Sequence, residues 1–160
     1  MRIAVGSDHA GFPLKAGIIA LLHQLGHSAE DLGTDSTDPV DYPDFSRAVA
    51  TAVISGRCER GIVLCGSGVG ASVAAAKVPG IRASMCHDTF SARQGVEDDD
   101  MNVISLGARV IGPSLAAEVV RAFTSAKFSG AERHVRRLAK IKVIEEDARN
   151  GVFDEARRNP

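Results

Sequence analysis

Short apolar runs alternate with stretches of helical periodicity along most of the chain. Continuous apolar runs are typical of buried strands, whereas apolar residues spaced three and four positions apart are typical of helices. These patterns predict strands over residues 2–5, 28–32, 61–65, 81–86 and 102–106. Residues 61–65 are apolar without interruption, as expected of a strand that is buried on both faces of a parallel sheet.

A helix is predicted after each strand. The first begins at Pro13 and ends at Gly26, residue types that favour the start and the end of a helix. Others are predicted between Pro43 and Gly56, over residues 71–77, from Asp88, from Pro113 or Ser114 to Phe123, and over residues 131–149. The last helix is long and carries Val135, Leu138, Ile141 and Ile144 along one side.

Consecutive strand–helix units predict an α/β fold: a doubly wound sheet of about five parallel strands, helices on both faces and a long C-terminal helix. The length of 160 residues suits a single domain spanning residues 1–160. Ligands of such sheets bind outside the carboxyl ends of the strands. Functional residues are therefore expected in the loops that follow the strands.

Composition narrows the functional class. Hydrophobic residues make up 44% and charged residues 24% of the chain, which is typical of folded proteins and not of disordered tails. The net charge of −1 offers no field to attract nucleic acid or an anionic membrane. No apolar run approaches the roughly eighteen residues that span a bilayer, and Asp8 and His9 interrupt the apolar stretch that a secretory signal needs. The three cysteines form no CxxC pair, so we expect free thiols and a cytoplasmic protein.

The loop after the first strand reads Gly6-Ser7-Asp8-His9-Ala10-Gly11. An acid and an imidazole at a strand end can hold sugar hydroxyls and exchange protons. Alternatively, the loop is an ordinary turn in which Asp8 caps the next helix. The segment alone leaves both interpretations open.

The loop after the third strand reads Cys65-Gly66-Ser67-Gly68-Val69-Gly70 and leads into a helix. Its glycines let backbone N–H groups converge on an anion, and the helix N-terminus adds partial positive charge. The same field favours a thiolate, so Cys65 is a candidate base. Other readings compete: a dinucleotide fingerprint belongs after the first strand, a serine nucleophile elbow needs glycine at position 65, and a cysteine ending a buried strand is often a core residue.

Three further clusters have structural alternatives. Cys86-His87-Asp88 resembles a zinc site only loosely, and helix capping by Asp88 is the simpler interpretation. Residues 97–100 are consecutive acids that either bind Mg²⁺ or, as we favour, form a solvated helix end. Arg133 and Arg137 share one helix face, where they either grip a phosphate or form a solvated basic surface. Nucleic acid is not favoured as their partner, because aromatic residues make up only 4% of the chain.

Taken in order, several segments resemble the ribose-5-phosphate isomerase B / galactose-6-phosphate isomerase family. They are Ser7-Asp8-His9-Ala10-Gly11, Asp41-Tyr42-Pro43, the loop from Cys65 to Gly70, Gly80-Ile81-Arg82-Ala83, Asn102-Val103, Gly107-Ala108-Arg109-Val110 and Arg133-His134-x-x-Arg137. Their order and spacing over nearly the whole chain make the resemblance specific. It implies a Rossmann-like fold, no metal and no nucleotide cofactor. It also implies a homodimer or homotetramer with active sites at subunit contacts.

The resemblance further implies roles for individual residues. Cys65 is the base that moves a proton between neighbouring carbons of a small phosphorylated sugar through a cis-enediolate. Ser67 and the backbone N–H groups of the loop hold the developing oxyanion. The matched substrate-binding positions are Gly66, Gly68, Val69 and Gly70 in the loop, Asp8, His9 and Tyr42 around the sugar, and Arg109, Arg133 and Arg137 at the phosphate. A branch of the family without the cysteine uses a Glu just after the loop, where this chain has Ala71.

The chain departs from the family pattern at Asp98 and Asp99, where the family carries a His-Asn pair whose histidine opens the sugar ring. A carboxylate that is ionised at neutral pH accepts a proton but rarely donates one. Three explanations stay open. The substrate needs no ring opening, as for a tetrose 4-phosphate; or His87, His134 or a protonated, buried Asp98 opens the ring; or the protein is a non-catalytic regulator that binds sugar phosphates.

We therefore predict an aldose–ketose isomerase acting on ribose 5-phosphate, with Cys65, Ser67 and Asp98 as catalytic residues and Asp99 as a substrate contact. The alternatives are an isomerase of another sugar phosphate (a tetrose 4-phosphate, allose 6-phosphate or galactose 6-phosphate) and the regulator. The helix over residues 131–149 is expected to pack on a neighbouring subunit and to bring its arginines near that subunit's pocket.

Overall fold

Strands and helices alternate from the N-terminus. In the computed structural model, which describes residues 1–154, the elements are β1 (Arg2–Ser7), α1 (Phe12–Gln24), β2 (Ser28–Asp31), α2 (Tyr42–Ile54), β3 (Arg60–Cys65), α3 (Val69–Ala75), β4 (Ala83–Met85), α4 (Thr89–Asp99), β5 (Val103–Gly107), α5 (Pro113–Ser125) and α6 (Glu132–Arg149). The strands form one sheet in the order β2-β1-β3-β5-β4, and every neighbouring pair is parallel. The predicted parallel sheet and long C-terminal helix are confirmed.

The three inner strands, β1, β3 and β5, divide their side chains between two hydrophobic cores, one on each face of the sheet. In β3, Ile62 and Leu64 face the core shared with α1, α4 and α5. Val63 and Cys65 face the core shared with α2 and α3. Because side chains alternate along a strand, a central strand covered on both faces needs apolar residues at every position. The prediction of helices on both faces is therefore confirmed, with β3 at the centre of the sheet.

The order of the strands reverses beside β1. From β1 the chain goes outward to β2 on one side and then crosses to β3 on the other. The helices that follow β1 and β3 leave from opposite faces, α1 to one core and α3 to the other. This reversal opens a crevice at the carboxyl ends of the two strands. The loops that border the crevice begin at Ser7 and Cys65.

The fourth strand is shorter than the sequence predicts. The apolar pattern covers residues 81–86, but β4 spans only Ala83–Met85 and pairs with β5 alone. Ile81 lies before the strand and packs into the core under α2 and α3. Periodicity does not separate a buried turn residue from the edge strand that follows it, which explains the difference.

Helix α6 leaves much of its apolar side uncovered within this chain. His134 is its fully buried residue, whereas Val135 is 50% and Ile144 is 56% exposed. The predicted stripe along this helix therefore does not face the core of its own chain. Apolar helix faces are normally buried, so this surface is suited to contact with another molecule.

Residues 155–160, which belong to the predicted domain of residues 1–160, lie outside the described residues. Among residues 1–154, no helix combines the length and the apolar character that are needed to cross a lipid bilayer.

Replacing Phe123 tests the larger core. Its ring is completely buried, and the Arg60 guanidinium lies 5.1 Å from the ring centroid. We expect Phe123→Ala to lower the free energy of unfolding by about 3–5 kcal/mol, because it leaves a cavity. Phe90 is 64% exposed, so the control Phe90→Ala should change it by less than about 0.5 kcal/mol. Urea denaturation measures both, and equal losses would contradict this account of the core.

Candidate active site

A pocket of about 340 Å³ opens at the carboxyl ends of the central strands. It is lined by Asp8, His9 and Ala10 after β1, by Cys65, Gly66, Ser67 and Gly70 after β3, by Arg109 and Val110 after β5, and by Tyr42 at the start of α2. A larger recess of about 700 Å³ at α4 and α5 holds no cysteine. The smaller pocket is the one where a thiol, an imidazole, a carboxylate and a guanidinium meet.

Cys65 ends β3 and is only 4% exposed. Its Sγ accepts a hydrogen bond from the Gly68 N–H at 3.1 Å. Gly68 has a φ of 83°, a left-handed conformation that glycine adopts without a steric penalty. This turn brings the N–H back to the sulfur, where a donor favours negative charge on the atom. The geometry therefore suits a thiolate base.

The other two cysteines are unsuited to this role. Burial raises the pKa of Cys86 to about 11. Burial and a hydrogen bond to Glu30 raise the pKa of Cys58. Neither lines the pocket, and all three cysteines are free thiols. Cys65 is thus the thiol available for chemistry at this site.

The loop after Cys65 presents backbone donors to the pocket. Within residues 1–154 the N–H groups of Gly66, Ser67 and Gly70 have no acceptor. The Val69 N–H has one long contact, 3.3 Å to the Ser67 Oγ. Helix α3 begins at Val69, so its positive end adds to the same region. Such an array stabilises an oxyanion.

Two glycines permit the close packing of this loop. A Cβ at Gly70 would lie 2.6 Å from Cζ of Tyr42, so the phenol ring rests directly on the loop. A Cβ at Gly107 would lie 2.5 Å from the Ser67 carbonyl oxygen. Larger residues at either position would displace the loop from β5 or from the ring. Of the predicted loop contacts, Gly68 and Val69 belong to the loop but do not line the pocket.

Asp8 supports the first loop and lines the pocket, but the predicted helix cap is not formed, because the N-cap residue of α1 is Gly11, without a side-chain hydrogen bond. The Asp8 Oδ1 accepts hydrogen bonds from the N–H groups of Ala10 (2.9 Å) and Gly11 (2.8 Å), so it stabilises the turn into α1. Asp8 also lines the pocket, although it is only 5% exposed. The His9 Nδ1 lies 3.2 Å from both the amide nitrogen and the carbonyl oxygen of Val40. The ring is thereby anchored through Nδ1, which leaves its Nε2 available.

Arg109 supplies positive charge at the rim. Its side chain is exposed and passes over Gly66, with Nη1 3.6 Å from where a Cβ of Gly66 would be. It pairs with no carboxylate among residues 1–154. An adjoining recess of about 550 Å³ shares Arg109 and His9 with the pocket. A guanidinium placed in this way is suited to a phosphate.

Besides Gly68 and Val69, four predicted site residues do not line this pocket: Asp98, Asp99, Arg133 and Arg137. Helix α4 starts after the carboxyl end of β4 and ends just before β5 begins. Its last turn, which carries the two acids, therefore lies near the amino ends of the strands. Cys65 lies at the carboxyl ends, and the length of β5 alone, roughly 16 Å, separates the two ends. The two arginines are exposed on α6. A single chain does not bring these four residues to Cys65.

Asp98 is engaged within its own chain. Its Oδ2 accepts a hydrogen bond from the Gln94 Nε2 at 2.7 Å, and its Oδ1 lies 3.5 Å from the His134 Nε2. The His134 Nδ1 is 2.7 Å from the Ser129 Oγ. These contacts join α4 to α6 and occupy both oxygens of the Asp98 carboxylate.

The remaining clusters have structural roles. The Asp88 Oδ1 accepts the Ser91 N–H at 2.7 Å, so the predicted cap of α4 is confirmed, and this hydrogen bond lowers the pKa of Asp88. The His87 Nε2 accepts the Gly107 N–H at 2.9 Å. In the acidic run, Glu97 pairs with Arg93 (2.8 Å). Within residues 1–154 no group of three or more His, Cys, Asp or Glu side chains is arranged to hold a metal.

Three residues at the site have no sequence-based prediction of a role. Ala10 and Val110 line the pocket. Each directly follows a predicted substrate-binding residue in the sequence, His9 or Arg109. Ser105 donates a hydrogen bond to the Gly68 carbonyl at 2.6 Å. It lies inside an apolar strand, where no sequence pattern distinguishes it from a core residue.

Comparison with known proteins agrees with this geometry. A sequence profile of the Ribose/Galactose Isomerase family matches residues 3–141. Ribose-5-phosphate isomerase B of Escherichia coli is 43% identical over 145 residues, which cover 91% of this chain and 97% of that protein. D-erythrulose-4-phosphate isomerase of Pectobacterium atrosepticum is 45% identical over 132 residues, covering 81% of this chain and 86% of that protein.

A solved structure of ribose-5-phosphate isomerase B from Clostridium thermocellum has a TM-score of 0.90 and 47% identity to this chain, covering 92% of this chain and 99% of that one. The matched residues include every loop that builds the pocket, from Asp8 to Val110. The chain therefore belongs to the ribose/galactose isomerase family.

Proposed function

We propose that this protein is an aldose–ketose isomerase that interconverts ribose 5-phosphate and ribulose 5-phosphate. The observation that carries the proposal is the Cys65 sulfur, which faces the same pocket as the unpartnered N–H groups of the loop after it. Relatives named as isomerases of sugar phosphates support it.

Cys65 acts as the base. As a thiolate it takes the proton from C2 of the open-chain aldose, and the electron pair forms the C1–C2 double bond of a cis-enediolate. The thiol returns a proton to C1, while the proton of the C2 hydroxyl passes to the C1 oxygen. One carbon is oxidised and its neighbour reduced, so the step needs no external oxidant or reductant. A base held in place for such a transfer typically contributes about 10²–10⁴ to the rate.

The loop after β3 holds the negative charge. A proton next to a carbonyl is only weakly acidic, so the enediolate oxygen needs fixed donors. The N–H groups of Gly66, Ser67 and Gly70 supply them, and the Ser67 hydroxyl is a further donor at the rim of the pocket. Loss of one such donor typically costs about 3 kcal/mol.

The rest of the pocket binds the substrate. Asp8, His9 and Tyr42 face the sugar hydroxyls, and Arg109 faces the phosphate. A phosphate carries up to two negative charges, which a single exposed guanidinium neutralises only in part. Further cations therefore have to come from elsewhere.

A second copy of the chain supplies them. Arg133 and Arg137 are exposed on α6 and pair with no carboxylate among residues 1–154. The same helix exposes Val135 and Ile144, which contact with a neighbour would cover. We propose a homodimer, alone or within a homotetramer, in which α6 of one subunit borders the pocket of the other. In this assembly the subunit that contributes α6 also brings its Asp98 and Asp99, which lie at the end of α4, to the pocket of the other subunit.

A tetrose 4-phosphate is the second candidate substrate. Its O4 carries the phosphate, so it forms no furanose ring and needs no ring-opening acid. Asp98 stands where the family has the ring-opening histidine and is engaged by Gln94 and His134. A relative at 45% identity is named as a D-erythrulose-4-phosphate isomerase.

We propose a cytoplasmic location for the protein, in line with its three free thiols.

A kinetic panel of four-, five- and six-carbon sugar phosphates tests the function. We expect turnover of ribose 5-phosphate, and a loss of about 10²–10⁴-fold in kcat for Cys65→Ala with ligand affinity retained. The matched control Cys58→Ala removes another buried thiol and should keep the wild-type kcat. A higher kcat/KM for a four-carbon substrate selects the tetrose, whereas binding without turnover of any sugar contradicts the isomerase and favours a regulator.

Mixed dimers test the shared site. Cys65→Ala and Arg137→Ala damage different halves of each pocket if the arginine comes from the partner. Random reassociation of the two variants then gives about half hybrid dimers, each with one intact site, which adds about one quarter of wild-type activity to that of the unmixed variants. Purified hybrids without activity, or sedimentation of the wild type as a monomer alone, would refute the shared pocket.

A further inference from the structure

Ser105 is a buried hydroxyl inside an otherwise apolar strand. It lies in β5 opposite Val63 of β3, and it is completely inaccessible to solvent. Its Oγ donates a hydrogen bond of 2.6 Å to the carbonyl oxygen of Gly68. Because burying a hydroxyl is costly unless it is bonded, this contact explains where the hydroxyl points but not why the strand carries one.

The Gly68 carbonyl does not need Ser105 to be satisfied. The same oxygen accepts the Ser72 N–H at 3.1 Å, in the first turn of α3. An alanine at position 105 would therefore leave no buried carbonyl without a partner. The serine hydroxyl adds a second, shorter bond to one peptide group of the loop, which points to a positioning role.

That peptide group also contains the Val69 N–H. In a trans peptide the carbonyl and the N–H point in opposite directions. With the Gly68 oxygen held toward the sheet by Ser105, the Val69 N–H points to the other side of the loop, where the Ser67 Oγ lies 3.3 Å away.

Gly68 links this peptide to the catalytic thiol. Its own N–H donates to the Cys65 Sγ at 3.1 Å. Its left-handed φ of 83° helps to set the relative orientation of the peptide groups before and after Gly68. A glycine has few barriers to rotation about its backbone bonds. Without the Ser105 hydroxyl, only the longer bond from the Ser72 N–H would hold the Gly68 carbonyl, and rotation at Gly68 would be less restrained. Such a rotation would move both the N–H at the sulfur and the N–H of Val69.

We propose that Ser105 is a positioning residue for the proposed isomerase. Its hydroxyl fixes the Gly68–Val69 peptide, which keeps the Gly68 N–H on the Cys65 sulfur and the Val69 N–H on the Ser67 hydroxyl, a group that lines the pocket. A donor on the carbonyl also polarises the peptide and makes its N–H a better donor. The assignment rests on the proposed function for its catalytic consequence, but the positioning of the sulfur does not depend on turnover.

Steady-state kinetics of Ser105→Ala test the proposal. We expect kcat to fall about tenfold, less than the loss from removing an oxyanion donor outright, with KM unchanged within about twofold. Ser105→Cys keeps the shape of the side chain, with a somewhat larger atom and a weaker donor, and its kcat should fall between wild type and alanine. The control Thr124→Val removes a buried hydroxyl bonded to the Val120 carbonyl in α5 and should keep the wild-type kcat.

Alkylation of Cys65 by iodoacetamide, followed by peptide mass spectrometry across pH, is the readout that needs no turnover. We expect the pH dependence of Cys65 labelling to change in Ser105→Ala and not in Thr124→Val. Wild-type kcat together with wild-type labelling in Ser105→Ala overturns the proposal. Altered labelling in a protein that isomerises no sugar phosphate supports the positioning of the sulfur and refutes the isomerase.

Discussion

The tight return of the chain after β3 is the constraint on which the site depends. The loop has to bring the Gly68 N–H back to the sulfur that ends the strand, a distance of 3.1 Å. It does so with a left-handed residue at Gly68 and by passing directly over Gly107, where any Cβ would collide with the Ser67 backbone. The chemistry proposed for Cys65 would therefore depend on backbone geometry more than on neighbouring charged side chains.

The sheet places this loop where a ligand can reach it. β3 is central and buried on both faces, so its carboxyl end is rigid, and the reversal of strand order beside β1 opens the crevice above it. The loop after β1 contributes Asp8 and His9 to the same crevice. β5 supports the loop from the other side with Ser105 and Gly107. Three adjacent strands thus position one pocket.

Much of this arrangement was predictable from the sequence, because its signals are local. The uninterrupted apolar run of β3 and the glycines after Cys65 indicate a buried strand and an anion-binding loop without reference to distant residues. The start of β4 was not predictable, since Ile81, which precedes the strand, is apolar because it packs against α2 and α3. Nor does any pattern show that Asp98 contacts His134, or that Ser105 reaches across to Gly68, because these contacts exist only after the elements pack. The surface that covers the exposed apolar side of α6 could not be predicted from one chain either, because in the proposed assembly it belongs to another subunit.

The claim that Cys65 removes the proton is tested most directly by a crystal structure with a bound sugar phosphate or a non-reactive analogue of the enediolate. The account predicts C1 and C2 within about 3.5 Å of the sulfur, the spacing of a productive encounter, with the enediolate oxygen on the N–H groups of the loop. A sugar bound with both carbons more than about 6 Å from the sulfur, beyond the reach of direct proton transfer, would contradict it.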